Sequence, residues 1–299
     1  MDTFIQVLVS GLTVGSFYAL VALGYTMVYG IIRLINFAHG DLVMVAAFIG
    51  WFVLDRTAVG DLPAVPQIAI AGTIAIGGAV LIALGLLRFV YRSLIDYPLG
   101  FMIVALSVAF CLQELVKLIF GASNRAYPAY GISTESIGFL GVTVNRMDLV
   151  VIALAAVLMI GMLWFVNRTR TGLAMRALAV DHDAARLMGI DVRALIAVAF
   201  GVGAALAAFT GVLSGVYYQR IGFEMGFMLG MMAFTAAVVG GIGNVGGAMV
   251  GGLLIGILEA AVQGYLSSTW SDAFIFGTLI LVLYLRPRGL LGERVAEST

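Results

Sequence analysis

An amide, an imidazole and a carboxylate lie within six positions of one another, at Asn36, His39 and Asp41, between two apolar runs. A carboxylate in such a place can serve as a proton or cation site, and the three groups together can form a polar kink that lines a path between helices. Asn36 and Asp41 are also residue types that cap a helix N-terminus, here of a helix predicted from Leu42. A metal site is not favoured, because the other histidine, His182, is distant in sequence.

A second constellation is the glycine-rich segment Gly241–Gly246, whose letters GIGNVG match the spacing of a dinucleotide-binding fingerprint. That fingerprint needs a strand before it and a helix after it, whereas this segment lies between two apolar runs. The glycines instead predict a helix break, because glycine destabilises helix. We expect Gly241, Gly243, Asn244 and Gly246 at this break, with Gly243 and Gly246 non-helical. The break would line a cavity at membrane depth or form a tight surface loop.

A third candidate is Glu259, a carboxylate within an apolar run. Carboxylates inside membranes are rare and face a bundle interior or an aqueous cavity. Glu259 can equally lie near a membrane surface beside Gln263. With Asn36, His39, Asp41 and the glycine segment, it completes the residues expected along a translocation path.

Composition excludes several classes of protein. The 299 residues carry no formal net charge, so no basic surface indicates nucleic acid as a partner. Lys117 is the one lysine and does not follow a glycine-rich loop, so the chain has no P-loop and any ATP must be bound by partner subunits. No cofactor or metal site is expected.

The elements that would position these groups are membrane helices, because 62% of the residues are hydrophobic and only 11% are charged. We expect an all-α polytopic membrane protein, a bundle of eight or nine transmembrane helices with a broken or re-entrant Gly-rich segment. The strong spans are Phe4–Val28, Val65–Phe89, Leu99–Leu118, Leu149–Val166, Leu195–Gly215 and Trp270–Leu285, and the weak ones are Leu42–Leu54, Gly226–Val239 and Ala248–Val262. The start of the chain lacks the basic segment of a cleavable signal, so the first span is expected to be retained.

Glycines one turn apart occur in several spans, for example Gly11 with Gly15 and Gly252 with Gly256. This small-xxx-small spacing lets helix backbones approach closely. It predicts packing within the chain or, alternatively, an interface with another subunit.

Arginines gather in three places: Arg88–Arg92, the polar segment 167–194, and Arg286–Arg294. The positive-inside rule places all three in the cytoplasm, the C-terminus included. With nine spans the N-terminus is then outside. We see one domain, residues 1–299, with segment 167–194 as a cytoplasmic loop.

Within this loop, residues 181–189 have the start and stop signals of a short helix. Asp181 can cap its N-terminus and Gly189 can take the left-handed position after its end. Two turns of helix do not persist alone in water, and Ala184, Leu187 and Met188 are apolar. The helix should therefore dock, either on the membrane face of its own chain or on a soluble partner.

Three segments resemble the permease subunits of branched-chain amino acid ATP-binding-cassette importers, the LivH family. They are GLTVGSFYALVALGYTMVYGIIRLINFAHGD (11–41), TGLAMRALAVDHDAARLMGIDV (171–192) and AAVVGGIGNVGGAMVGGLLIGILE (236–259), and the likeness runs from about Phe4 to Leu291. The resemblance implies that the region 176–191 couples to an ATPase. The coupling residues it implies are Arg176, Asp181, Ala184, Ala185, Arg186, Leu187, Met188, Gly189, Ile190 and Asp191.

The same resemblance implies a multi-pass protein of the bacterial inner membrane that works with a second, homologous permease, two ATP-binding subunits and an external solute-binding protein. Related urea and short-amide permeases share these motifs, so they remain an alternative. A rival from another class is an ion-coupled secondary amino acid transporter that uses Asp41 or Glu259 as its ion site. A structural scaffold explains neither the glycine break nor Glu259.

The arginine bias makes a topology prediction. Single cysteines at Ser133 and at Thr171, in a Cys111→Ala background, should react with an impermeant maleimide from opposite sides of the membrane. Labelling of both from one side would contradict the predicted orientation.

Overall fold

The structure is a computed structural model that describes residues 2–56, 63–128, 136–139 and 142–292. Its helices are α1 (Asp2–Ile32), α2 (His39–Arg56), α3 (Ala64–Leu86), α4 (Pro98–Phe120), α5 (Arg146–Arg168), α6 (Arg170–Val180), α7 (His182–Leu187), α8 (Val192–Tyr218), α9 (Met225–Gly240), α10 (Val245–Tyr265) and α11 (Ser271–Leu285). A π-helical turn, Leu87–Tyr91, extends α3, and a 3-10 turn, Ser268–Trp270, precedes α11.

Strands are short and lie at the helix ends. β1 (Arg125–Ala126) pairs antiparallel with β4 (Arg220–Ile221), and β2 (Ser136–Phe139) pairs antiparallel with β3 (Val142–Asn145). Among the described residues, seven helices are long and apolar enough to cross a membrane: α1, α3, α4, α5, α8, α10 and α11, counting α3 and α11 with their adjoining turns. The expected all-α polytopic membrane fold is confirmed.

All nine predicted spans coincide with helices, including the three weak ones, which became α2, α9 and α10. The helices α2 and α9 have only 18 and 16 residues. In α2 the apolar stretch is bounded by Asp41 near one end and by Asp55 and Arg56 at the other. The choice between eight and nine complete spans stays a prediction.

The core is built around α1, whose residues from Phe17 to Leu23 are almost completely buried. This helix makes its most extensive contact with α10. A Cβ atom on Gly256 would overlap the backbone of Gly15, and one on Gly252 would overlap the backbone of Ala19. The small-residue spacing therefore serves packing within the chain along what we call the glycine seam of α1 and α10.

The arginine clusters meet at one end of the bundle, which we call the arginine-rich end. Arg33, just after α1, donates a hydrogen bond to the carbonyl of Ala179 at the end of α6 (2.8 Å). Leu290 in the C-terminal tail donates its N–H to the Val239 carbonyl near the end of α9 (2.9 Å). Arg88 shares a cavity of about 400 Å³ with α8 residues at this same end.

The described structure thus groups the three segments that the arginine bias assigned to one side. Two residues used in that analysis, Ser133 and Arg294, lie outside the described residues. Which end faces the cytoplasm stays a prediction.

The glycine seam makes a testable prediction. Gly256→Ala should destabilise the protein by roughly 1–3 kcal/mol, since its methyl group would force α1 and α10 apart. Gly277→Ala in α11 is the matched control, because a Cβ there meets nothing within 4 Å. Thermal unfolding in detergent measures both variants. A Gly256→Ala protein as stable as the Gly277→Ala protein would show that the seam is not tight.

Candidate functional site

The polar residues of the first motif mark the start of α2, which begins at His39 and not at Leu42 as predicted. Asn36 prepares this start, since its Oδ1 accepts a hydrogen bond from the Ala38 N–H (3.2 Å) and its carbonyl accepts from the His39 N–H (3.1 Å). Asp41 lies inside the first turn. The prediction that Asp41 caps a helix from Leu42 was therefore wrong, because the turn at Asn36 begins the helix earlier.

His39 and Asp41 are deeply buried, with only 3% and 1% of their surface exposed. The His39 ring packs edge-on against Tyr25, with ring centroids 4.8 Å apart, and it fills the space where a Cβ on Gly24 would lie. Asp41 Oδ1 accepts a hydrogen bond from Gln113 of α4 (3.0 Å). The motif forms a packed polar cluster that joins α1, α2 and α4.

The glycine segment forms the turn between α9 and α10. The backbone dihedral φ is +111° at Gly241 and +98° at Gly243, a region that favours glycine. Asn244 caps α10 by accepting the Gly247 N–H (3.0 Å). Gly243 is non-helical as predicted, but Gly246 lies in the first turn of α10, because the cap at Asn244 lets the helix begin at Val245.

The C-terminal tail covers this turn. Leu291 donates its N–H to the Gly240 carbonyl (2.9 Å) and accepts a hydrogen bond from the Asn244 side chain (2.9 Å). A Cβ on Gly241 would overlap Gly292, so only glycine permits this approach. The turn therefore lies at the arginine-rich end beneath the tail.

Glu259 lies near the other end of α10, on the side that faces α1. Tyr18 donates a hydrogen bond to Glu259 Oε2 (2.5 Å), and Gln263 donates one to Oε1 (3.0 Å). The carboxylate also borders a cavity of about 430 Å³. Glu259 thus lies both beside a cavity and beside Gln263. Its depth in the membrane, on which the two sequence interpretations differ, stays a prediction.

The candidate path residues do not meet in a single site. Asn36, His39 and Asp41 lie within the bundle, the glycine turn lies at the arginine-rich end, and Glu259 lies toward the opposite end. Sequence reasoning missed Tyr18 and Gln113, the partners of the two carboxylates. A buried tyrosine hydroxyl or a buried side-chain amide needs a hydrogen-bond partner. The sequence does not identify that partner, because Tyr18 and Glu259 are 241 positions apart in the chain.

The short helix α7 has the predicted caps at both ends. Asp181 accepts the N–H groups of Asp183 (2.8 Å) and Ala184 (3.0 Å). Gly189, at φ +80°, closes the C-terminus, where its N–H bonds the Arg186 carbonyl (3.0 Å). The Ile190 N–H bonds the Ala185 carbonyl (3.1 Å) to complete a Schellman motif.

The apolar residues of α7 divide into an inner and an outer set. Ala185 is buried and anchors the helix on its own chain, whereas Leu187 and Met188 are 88% and 82% exposed. Ala184 is also exposed, as is Arg186, which lies 3.9 Å from Asp183. The outer face is thus an exposed apolar patch with a cationic edge, which we call the α7 patch.

Three other residues of the coupling list have local bonds. Arg176 is exposed and donates to the Asn167 carbonyl (3.4 Å). Asp191 caps α8 by accepting the N–H groups of Arg193 and Ala194 (3.0 and 3.1 Å). Ile190 is half-buried. Nothing in these contacts tests a coupling role, which stays a prediction.

The cap of α7 makes a second structural prediction. Asp181→Ala should speed amide exchange in residues 183–190, while Asp181→Asn should retain most of the protection because asparagine also caps. Asp183→Ala is the control, since its side chain caps nothing. Hydrogen exchange read by mass spectrometry measures all three, and unchanged exchange in Asp181→Ala would contradict the cap.

The same cap has a defined pH dependence. The Ala184 and Asp183 N–H groups hold the pKa of Asp181 below its ordinary value. Because the folded-state pKa is depressed, the cap stabilises α7 throughout the neutral range. Its contribution is lost only as pH falls below the ordinary aspartate pKa and through the folded-state value.

Comparison with known proteins places this arrangement in a family. A family model described as the permease component of the branched-chain amino acid transport system matches residues 7–283. The chain is 40% identical to the high-affinity branched-chain amino acid transport system permease protein BraD of Pseudomonas aeruginosa, over 99% of this chain and 98% of that protein. It is 38% identical to the permease proteins LivH of Escherichia coli K12 and of Salmonella typhimurium LT2, over 99% of this chain and 97% of each relative. The chain belongs to the family of branched-chain amino acid transport permeases.

Proposed function

We propose that this chain is a membrane subunit of an importer that moves branched-chain amino acids across a bacterial inner membrane at the expense of ATP. The observation that carries the proposal is the family match over residues 7–283, together with 38–40% identity to named permeases over nearly the whole chain. The subunit performs no covalent chemistry. Partner ATPases hydrolyse ATP, and an external binding protein delivers the solute.

The arginine-rich end is proposed to face the cytoplasm. The arginine clusters meet there, and arginine is enriched on the cytoplasmic side of membrane proteins. This orientation places the C-terminal tail and α7 where ATPase subunits can reach them. The N-terminus and the cavity beside Glu259 then face outward.

The α7 patch is proposed as the contact with an ATPase. Leu187 and Met188 are among the most exposed large hydrophobic residues described, and Leu173 and Val180 of α6 in the same loop are exposed as well. Exposed apolar side chains on a capped, anchored helix favour insertion into a groove of a partner protein. Coupling to two ATPases and pairing with a second permease belong to this proposal.

An ion-coupled transporter is less well supported. Asp41 is buried and already accepts a hydrogen bond from Gln113, and an ion-coupled mechanism leaves the α7 patch without a role. A direct measurement of uptake distinguishes the proposed function from the alternative in which urea or short amides are the substrates.

The decisive experiment reconstitutes the permease with its ATPase and binding-protein partners in liposomes that contain ATP. We expect uptake of labelled leucine but not of labelled urea, and we expect it to require ATP inside the vesicle. Urea uptake would support the amide permeases. Leucine uptake driven by an ion gradient without ATP would support the solitary transporter.

The docking element is tested in the same vesicles with the double variant Arg186→Glu, Leu187→Asp. Like charges across an interface cost several kcal/mol where the partner is acidic, so ATPase recovery and leucine uptake should fall together while the permease still accumulates. Arg56→Glu, a charge reversal at an exposed site on the last residue of α2, is the control. Unchanged recovery and uptake in the double variant would show that α7 does not dock the ATPase.

A further inference from the structure

The cavity beside Glu259 lies at the end of the bundle opposite the arginine-rich end. It is formed by the last turns of α8 and α10, the first turns of α9 and α11, the middle of α1, and β4. Its volume of about 430 Å³ falls within the range of small-molecule sites, roughly 300–1,000 Å³. The volume is sufficient for one amino acid, and the cavity's lining contains three kinds of chemistry.

One part of the lining is acidic and held in a fixed orientation. Glu259 is oriented by Tyr18 at 2.5 Å and by Gln263 at 3.0 Å, so each of its oxygens retains capacity to accept a further hydrogen bond. Asp272, in the first turn of α11, lines the same cavity, as does Glu224, just before α9. An acidic lining of this kind suits an ammonium group, which carries three donors.

Another part of the lining is cationic. Arg220 stands on β4, whose pairing with β1 holds the backbone at Ala126. A guanidinium binds a carboxylate through two parallel hydrogen bonds. A simple cation site would gain nothing from an arginine in its wall, whereas a zwitterion needs both charges.

The remainder of the lining is apolar and flexible. Met225, Met228 and Leu229 of α9 line the cavity, as does the buried Phe17 of α1. Methionine side chains adapt to irregular aliphatic shapes. Met228 is 55% exposed, so its side chain is free to yield to a branched hydrocarbon group.

We propose that this cavity is a transient binding subsite for a zwitterionic amino acid with a branched aliphatic side chain. The ammonium group lies at Glu259 and Asp272, the carboxylate lies at Arg220, and the side chain packs on Met228 and Leu229. The inference rests on the proposed function and adds a place where the solute is held within the permease. Partly exposed charges are screened by water, so the subsite binds weakly and releases its solute.

The first test places a larger side chain in the apolar part of the cavity lining. In the reconstituted complex with one binding protein, Met228→Phe should lower leucine uptake relative to valine uptake by up to about tenfold. One methylene in a hydrophobic pocket discriminates by roughly 10–200-fold, and the open, adaptable wall of this cavity places the effect at the lower end of that range. Met231→Phe is the matched control, since Met231 is on the same helix but borders a different, very small cavity. General damage lowers both uptakes equally and leaves their ratio unchanged.

The second test reads occupancy without transport. A cysteine at Met228, in a Cys111→Ala background, should react more slowly with a maleimide when leucine is present, while urea should give no protection. Glu259→Gln should abolish the protection by leucine. Glu114→Gln should not, because Glu114 is an exposed carboxylate paired with Lys117 at 2.5 Å on α4.

The outcomes separate the two proposals. A wild-type complex that imports no leucine overturns the proposed function. A complex that imports leucine normally, yet shows no protection at position 228 and no change in the leucine-to-valine ratio in Met228→Phe, overturns the subsite alone. Slower labelling that survives Glu259→Gln overturns the assignment of the ammonium group.

Discussion

The close backbone contact between α1 and α10 is the constraint on which the rest of the structure depends. In lipid, helices gain little from hiding apolar surface, so association relies on close packing and on hydrogen bonds between helices. Gly15 and Gly256 provide the close packing, because neither position leaves room for a side chain. The hydrogen bond from Tyr18 to Glu259 joins the same pair of helices. A wider separation of α1 and α10 would lose the packing and the hydrogen bond together.

The seam also fixes what lies at its two ends. At the arginine-rich end, α1 continues to Arg33, which holds the end of α6, and α10 begins at the turn covered by the tail. Toward the other end, Tyr18 and Glu259 border the cavity. Because α1 is unbroken between these places, one continuous helix joins the end of the bundle that contacts α6 to the wall of the cavity.

The sequence predicts the elements of this fold well, because both strong signals are local. Twenty apolar residues in a row must span a membrane or be buried in the protein. Asp181 and Gly189, eight positions apart, mark the start and the end of one short helix. The errors are local too. The helix was predicted to begin at Leu42 because the apolar run begins there, directly after Asp41, yet the turn at Asn36 starts the helix at His39. Gly246 was taken as a break, yet a helix tolerates glycine once Asn244 has capped it.

The candidate site was less predictable, because its contacts join residues far apart in the chain. Glu259 was identified as unusual by its apolar surroundings alone, but its orientation depends on Tyr18, and the apolar part of the cavity depends on α9. The sequence treats His39, Asp41, the glycine turn and Glu259 as one set, whereas the structure separates them. Of this set, Glu259 borders the cavity of about 430 Å³ opposite the arginine-rich end, whereas Gly243 and Asn244 border a different cavity of about 370 Å³.

That separation fits the proposed importer, in which an external binding protein supplies most of the affinity for the solute. A deep polar group such as Asp41, packed against Gln113, would bind a solute only after costly rearrangement of the bundle. Glu259 and Arg220 border an open cavity and are partly exposed, so in the proposed subsite they hold opposite charges and release them without repacking any helix. A solute that must leave again is better held by exposed, oriented charges than by buried ones. The proposed subsite lies in an open cavity and not in the deep cluster of His39 and Asp41, which is consistent with that requirement.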